Sequence, residues 1–338
     1  LLLYTLEELF SGNRERFKGL WIDESDYTFP RRPVLSLSLS LESGSPEIFQ
    51  LNLINRLKDI AQAAKLRQVI KAPTPAAYFE KLIKALSQEA NSEIAVLIDE
   101  YDAPVTRNLD NSKIAKANAN ILHDFFAILK DLKVSPCVGF TLVTGITRHA
   151  LTSMDSGPNH LKDISLNPKF AGLCGFTLEE FDSIFADWLA ASLPILKETG
   201  EIEPNVTERD LREKILSWYD GYNWGGETRV LNPFSILNFF ADHKFDSYWI
   251  LSGRPAHLTA LIKKRPLDFL ENKLRSYISK DLRKTSLTTL GAIPVLFHSG
   301  YLTVDTIKKE PKNPLDPKNT QQVERYYFRH PNFEVSSS

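Results

Sequence analysis

The sequence predicts an α/β chain: a parallel sheet with flanking helices, followed by a mostly helical subdomain that ends in a small β element. Three observations predict it. Ile94-Ala95-Val96-Leu97-Ile98 is apolar without alternation, which suits a strand buried on both faces, as in a parallel sheet. Strand-like runs at 33–40 and 138–143 are separated from it by helical patterns, so residues 33–148 read β, αα, β, α, β. After Arg148 that alternation stops and helical patterns dominate. The expected division is residues 1–169 as one domain and 170–335 as a second.

Residues 1–18 open with a helix whose apolar stripe is Leu2, Leu6, Leu9 and Phe10, ending near Ser11-Gly12. Pro33 to Ser40 alternates Leu with Ser, a period of two that gives a strand one apolar and one small polar face. Ile48 to Arg67 and Ala76 to Ala90 carry helical apolar spacing, and Pro73-Thr74-Pro75 separates them. Lys113 to Asp131 is a strongly amphipathic helix, and Val138 to Val143 is the third strand, running into Thr144-Gly145-Ile146-Thr147-Arg148.

Farther on, Thr177 with Glu180 has capping-box spacing. Pro194 and Pro204 bracket an expected loop, and Thr207 can cap a helix that stops at Asp220-Gly221. Asn232 precedes Pro233 at another helix start, and further helices are expected near 256–262 and 266–274. Val295 to Thr303 and Arg325 to Arg329 read as a terminal hairpin around a loop at 305–324.

Composition excludes little. The chain has 338 residues, 41 Lys and Arg against 42 Asp and Glu, and a net charge of -1, so bulk charge does not drive it to nucleic acid or membrane. No apolar run approaches a membrane span. Cys137 and Cys174 stand in apolar sequence surroundings, which fits buried thiols and a cytoplasmic, reducing location. The His and Cys residues show no metal-ligand spacing, and no Gly-x-Ser-x-Gly elbow occurs.

The chemistry gathers where the apolar run ends. Charges cannot continue inside a doubly covered sheet, so Asp99 and Glu100 belong at its carboxyl edge, where open α/β sheets bind ligands. An Asp-Glu pair there suits a Mg²⁺-dependent nucleotidase, with one carboxylate for the hydrated metal and one to orient water. The plainer reading is a strand that ends in solvated charge. Asp102 has two readings as well: a cap on the turn into Ala103-Pro104, or a polar role at the site.

Several stretches in order carry a resemblance: LEELFSGNRERFKGLWI, LIDEYDAPV, VTGITR with LKDISLNPKFAGLCGFTLEEF, WYDGYNW with LNPFSILNFF, then PVLFHSGYLT and RHPNFEV. Together they resemble the AAA-ATPase-like family of P-loop proteins, in register from about Leu6 to Val335. The resemblance implies a P-loop NTPase-like nucleotide domain followed by a helical lid, with ATP and Mg²⁺ as cofactors. LIDEYDAPV matches the Walker B strand. Asp99 then holds the Mg²⁺ shell through water, Glu100 is the general base, and Asp102 lies beside the cofactor. Thr144 takes the sensor position, facing the γ-phosphate or the attacking water. Arg148 is read either as a guanidinium near the transferring phosphate or as a loop salt bridge.

The family's phosphate loop would precede Leu1, and no G-x-x-x-x-G-K-[ST] occurs in the chain. The expectation is a fragment that lacks the loop, the first strand and a nuclease-like domain of the PD-(D/E)XK type beyond Val335. In sheets of this class the missing strand is expected to lie between the Walker B strand and the strand that follows it. The partners implied are a nucleotide, DNA through the nuclease-like domain and a second copy of the chain, with no membrane. The leading reading is a nucleotide-dependent switch in DNA metabolism or defence; the other is an inactive relative serving as a regulatory or interaction module. Lys263-Lys264-Arg265 and Arg283-Lys284 are the basic groups available to DNA, or else solvated faces.

Overall fold

The computed structural model describes residues 1–146, 161–225, 227–252, 277–278, 282, 292–312 and 321–337. Arg148, the helices expected near 256–262 and 266–274, and the basic groups at 263–265 and 283–284 lie outside the described residues. The chain divides into two compact units, with the break in the described residues at Lys162 and Asp163.

The first unit is built on a three-stranded sheet in the order β1 (Val34–Ser38), β2 (Ile94–Asp99), β3 (Val138–Val143), all parallel. Leu35 lies beside Val96 and Leu37 beside Ile98, so the β1 leucines and the even positions of β2 share one face. That face is covered by α2 (Pro46–Ala63), α3 (Pro75–Ala90) and α4 (Ser112–Ala127). Ser45, Thr74 and Asn111 cap these helices through their side chains, each accepting from a first-turn N–H. On the other face α1 (Leu2–Phe10) lays Phe10 against Phe140, ring centroids 4.9 Å apart. Ile94 to Ile98 have no exposed surface, as an unbroken apolar run buried on both faces requires.

Within these residues β2 pairs with β3, Leu97 beside Leu142 and Ile98 beside Val143, with a shift of register between Ile94 and Ala95.

Phe79 of α3 stacks on Phe125 of α4, with centroids 4.1 Å apart and both rings fully buried. Phe125→Ala is expected to cost about 3–5 kcal/mol in urea unfolding of the first unit, because the stacked ring loses its partner and a cavity remains.

The second unit is largely helical: α5 (Leu178–Ile184), α6 (Ala186–Glu198), α7 (Glu208–Tyr219), α8 (Pro233–Asp242) and α9 (Tyr248–Ser252). Thr177 with Glu180 and Thr207 with Asp210 form complete capping boxes at α5 and α7. Pro194 lies inside α6 rather than at a loop. Leu189 and Leu196 are buried on either side of it, and that packing outweighs the lost backbone bond. Bidentate Asp182–Arg212 bonds of 2.6 and 2.8 Å tie α5 to α7.

The terminal hairpin also differs from expectation. Val295 to His298 belong to a helix, α10 (Ala292–His298), not a strand. The strands are β5 (Thr303–Pro311) and β6 (Gln322–Arg329), antiparallel, with β4 (Tyr277–Ile278) on the other side of β6. A short apolar run is ambiguous between helix and strand, and the Lys-rich β5 is mostly exposed, so its pattern reads as loop. The expected buried thiols are corrected too: Cys174 is exposed and Cys137 half-buried. No helix among the described residues is long and apolar enough to cross a membrane.

Candidate functional site

The parallel register brings three strand ends to one edge of the sheet. After β1 the chain runs through Leu39 to Ser45, and the Leu39 N–H bonds the Asp99 carbonyl at 2.9 Å. Beyond β2, Tyr101 N–H bonds the Thr144 carbonyl at 3.0 Å, and the Thr144 N–H bonds the Ile98 carbonyl at 2.8 Å. The carboxyl ends of β1, β2 and β3 are therefore laced together by backbone bonds before any side chain contributes.

Side chains complete the edge. Thr144 Oγ1 donates to Asp99 Oδ1, and the Glu100 N–H reaches the same oxygen at 2.9 Å. Asp99 is half-buried. Glu100 has φ of 49°, a left-handed backbone uncommon for a residue with a Cβ. This sharp turn directly after Asp99 puts Glu100 in solvent, its side chain 49% exposed.

Sequence reasoning missed Arg107. Its guanidinium stands 3.8 Å from Glu100 and donates to Ser40 Oγ in the loop after β1. Half-exposed as it is, this pair is worth no more than about 1 kcal/mol. Nothing in the spacing of Arg107 from Glu100 announces it. The helical turn Ala103–Thr106 brings it back to the edge.

Also missed were Ser43, Asn108 and Asn118, all buried. Asn108 and Asn118 each donate to the Ser43 and Pro104 carbonyls at 2.9–3.0 Å, pinning the loop after β1 to the turn after β2.

Asp102 is only 2% exposed. It precedes the helical turn, but its side chain makes no cap bond there, which removes the capping reading. Instead Oδ1 accepts from the Ile146 N–H at 3.2 Å. Gly145 sits against it so closely that a Cβ there would fall 2.5 Å from Asp102 Oδ1 and 2.5 Å from the Tyr101 ring.

Of the five sequence candidates, Asp99, Glu100, Asp102 and Thr144 thus meet at one edge, and Arg148 lies outside the described residues. Among the described residues no three His, Cys, Asp or Glu side chains converge as a metal cage. Both bonds on Asp99 fall on Oδ1, which leaves Oδ2 without a hydrogen bond among the described residues.

The comparisons with known proteins bear on this edge. Residues 1–155 match the AAA-ATPase-like family, described as predicted AAA-ATPase. That match spans α1, all three strands and the carboxylate edge. The name of the matched family implies nucleotide binding for its members. An uncharacterized protein in the vnfD 5′ region of Azotobacter chroococcum mcd 1 is 29% identical over 349 residues. The alignment takes in 100% of this chain, and the chain spans 59% of that relative's length. No solved structure matches the chain.

In the second unit the turn that follows α7, Tyr222-Asn223-Trp224, is held by packing and backbone bonds. Tyr222 bridges Val230, the Asn223 N–H bonds Thr303 Oγ1 at 2.6 Å, and Asn232 caps α8. Asp220 ends α7, and burial raises its carboxyl above the usual range. Gly221 has φ of 111°, and a Cβ there would lie 2.3 Å from the Pro331 carbonyl, so only glycine fits. Trp218 packs on Phe333 and Trp249 on Tyr301, whereas Trp188 is 56% exposed.

Proposed function

We propose that the first unit carries the metal and water-activating side of a Mg²⁺-dependent ATPase site. The observation that carries this reading is the pairing at the carboxyl edge: Asp99 ends the central strand with Thr144 bonded to it and Glu100 beside it. Asp99 would hold hydrated Mg²⁺ through Oδ2. Glu100 would take the proton of an attacking water, and Thr144 would face the γ-phosphate or that water. Bound Mg²⁺ would neutralise charge on the phosphates. The phosphate-cradling backbone and Lys are supplied by no motif in these 338 residues.

The reading extends, through the family resemblance alone, to a nucleotide-dependent switch coupled to a nuclease-like domain acting on DNA. Residues from about 170 to 335 would serve as its lid, Arg148 would act near the phosphate, and the protein would work in the cytoplasm, with self-association open to test.

The test is ATP affinity of the intact protein with and without Mg²⁺, by calorimetry. Asp99→Asn is expected to weaken the Mg²⁺-dependent part about 10–100-fold, the usual effect of removing a group that acts through a metal-bound water. Equal affinity in the presence and absence of Mg²⁺ for the unaltered protein would remove the metal role. Absence of ATP binding altogether would favour the second reading, a non-catalytic regulatory or interaction module.

A further inference from the structure

We infer that Asp102 is a positioning residue: its buried carboxylate tethers the loop after β3 and thereby holds Thr144 on Asp99. A carboxylate that is 2% exposed has given up its hydration and must be compensated by donors. The Ile146 N–H is such a donor, at 3.2 Å. It comes not from the helical turn that Asp102 precedes but from the next strand's loop, 44 residues on.

Two neighbouring bonds run between the same two segments. The Tyr101 N–H bonds the Thr144 carbonyl at 3.0 Å, and Thr144 Oγ1 donates to Asp99 Oδ1. The segment 99–102 is thus zipped to 144–146 at three successive points, with Asp102 the outermost. Gly145 gives an independent sign of the same contact. The loop backbone lies so near Asp102 and Tyr101 that no side chain fits at 145 without displacing one of them.

Asp102 accordingly acts through Thr144 and need not touch nucleotide or metal. The catalytic consequence rests on the ATPase reading above; the tether itself does not.

The experiment is hydrogen–deuterium exchange of the Ile146 amide in the intact protein without nucleotide. Asp102→Ala should speed it about 10–100-fold, the range for losing a bond to a charged acceptor. The amides of Ile94 to Ile98 should stay within about twofold. Asp102→Asn keeps an acceptor oxygen and should restore most of the protection. Gly145→Ala, which presses on the tether while leaving Asp102 in place, should reproduce the Asp102→Ala pattern and covers the case in which the first variant does not fold.

Unchanged Ile146 exchange in Asp102→Ala, or equal acceleration across β2, would overturn the inference. In Mg·ATP hydrolysis Asp102→Ala should lower kcat about tenfold or more with KM within about twofold, as for a group acting only on transition-state geometry. Absence of hydrolysis in the unaltered protein would sink the ATPase reading, and the tether would then stand or fall on the exchange result.

Discussion

Glu100→Gln is expected to leave Mg·ATP binding in place and to slow hydrolysis by about 10²–10⁴-fold, the range for losing a general base. The substitution keeps size and hydrogen-bonding shape but removes the proton acceptor. Its setting favours a role in the reaction over one in stability. Glu100 is exposed and its only side-chain partner in the described residues is Arg107 at 3.8 Å, so the fold should lose no more than about 1 kcal/mol with it. Its backbone, by contrast, is held in the left-handed region at φ of 49°, which costs roughly 1–2 kcal/mol for a residue with a Cβ. A fold that tolerates this at the end of its central strand is spending stability on where Glu100 sits. Phosphate release and nucleotide affinity, measured on the same preparation, separate the two effects. Turnover at the unaltered rate would rule out Glu100 as the base and leave Asp99 with Thr144 as a metal site only.

The parts of this edge differ in how far the sequence discloses them. β2 is legible because burial on both faces demands an unbroken apolar run, and the first charge after it marks the edge. β1 is legible for the opposite reason: Leu alternating with Ser shows that its two faces meet different neighbours, α2–α4 on one side and α1 on the other. Thr144 could be placed as the first polar residue after the third apolar strand. Asp102, Arg107 and Asn118 could not, since their partners come from loops far along the chain that only the folded sheet brings near.

One signal was available for Asp102. It stands between Tyr101 and Ala103-Pro104, all of them buried, and a carboxylate amid such neighbours needs a donor from elsewhere. Strand order was not legible at all: the pairing of β2 with β3 depends on sheet registry and leaves no mark in local pattern.

In the second unit, Glu334→Ala is expected to cost about 3–5 kcal/mol and Glu334→Gln no more than about 1 kcal/mol. Glu334 has no exposed surface. Its Oε1 accepts from the Trp249 N–H at 2.7 Å and its Oε2 from the Ser235 hydroxyl at 2.8 Å. One carboxylate thus joins the start of α9, the first turn of α8 and the terminal segment after β6. Alanine would strand a buried N–H and a buried hydroxyl, at about 1–3 kcal/mol each, and leave a void. Glutamine can keep both links, because its carbonyl accepts from Trp249 while its amide donates to Ser235 after that hydroxyl turns.

The pH dependence follows the same geometry. Burial raises the Glu334 carboxyl, an effect that the Trp249 and Ile250 N–H groups and the Ser235 hydroxyl only partly oppose. A folded value above the unfolded one means the group's stabilisation is complete below the ordinary value of 4.5 and is lost as pH rises through the raised folded value. Glutamine is neutral throughout that window and loses nothing across it. The difference between the wild type and Glu334→Gln, followed by urea denaturation of the second unit with Trp fluorescence, should therefore be largest at acid pH and shrink as pH rises. A difference that grew with pH would mean that the donors at Trp249 and Ser235 outweigh burial and that Glu334 is held as an anion.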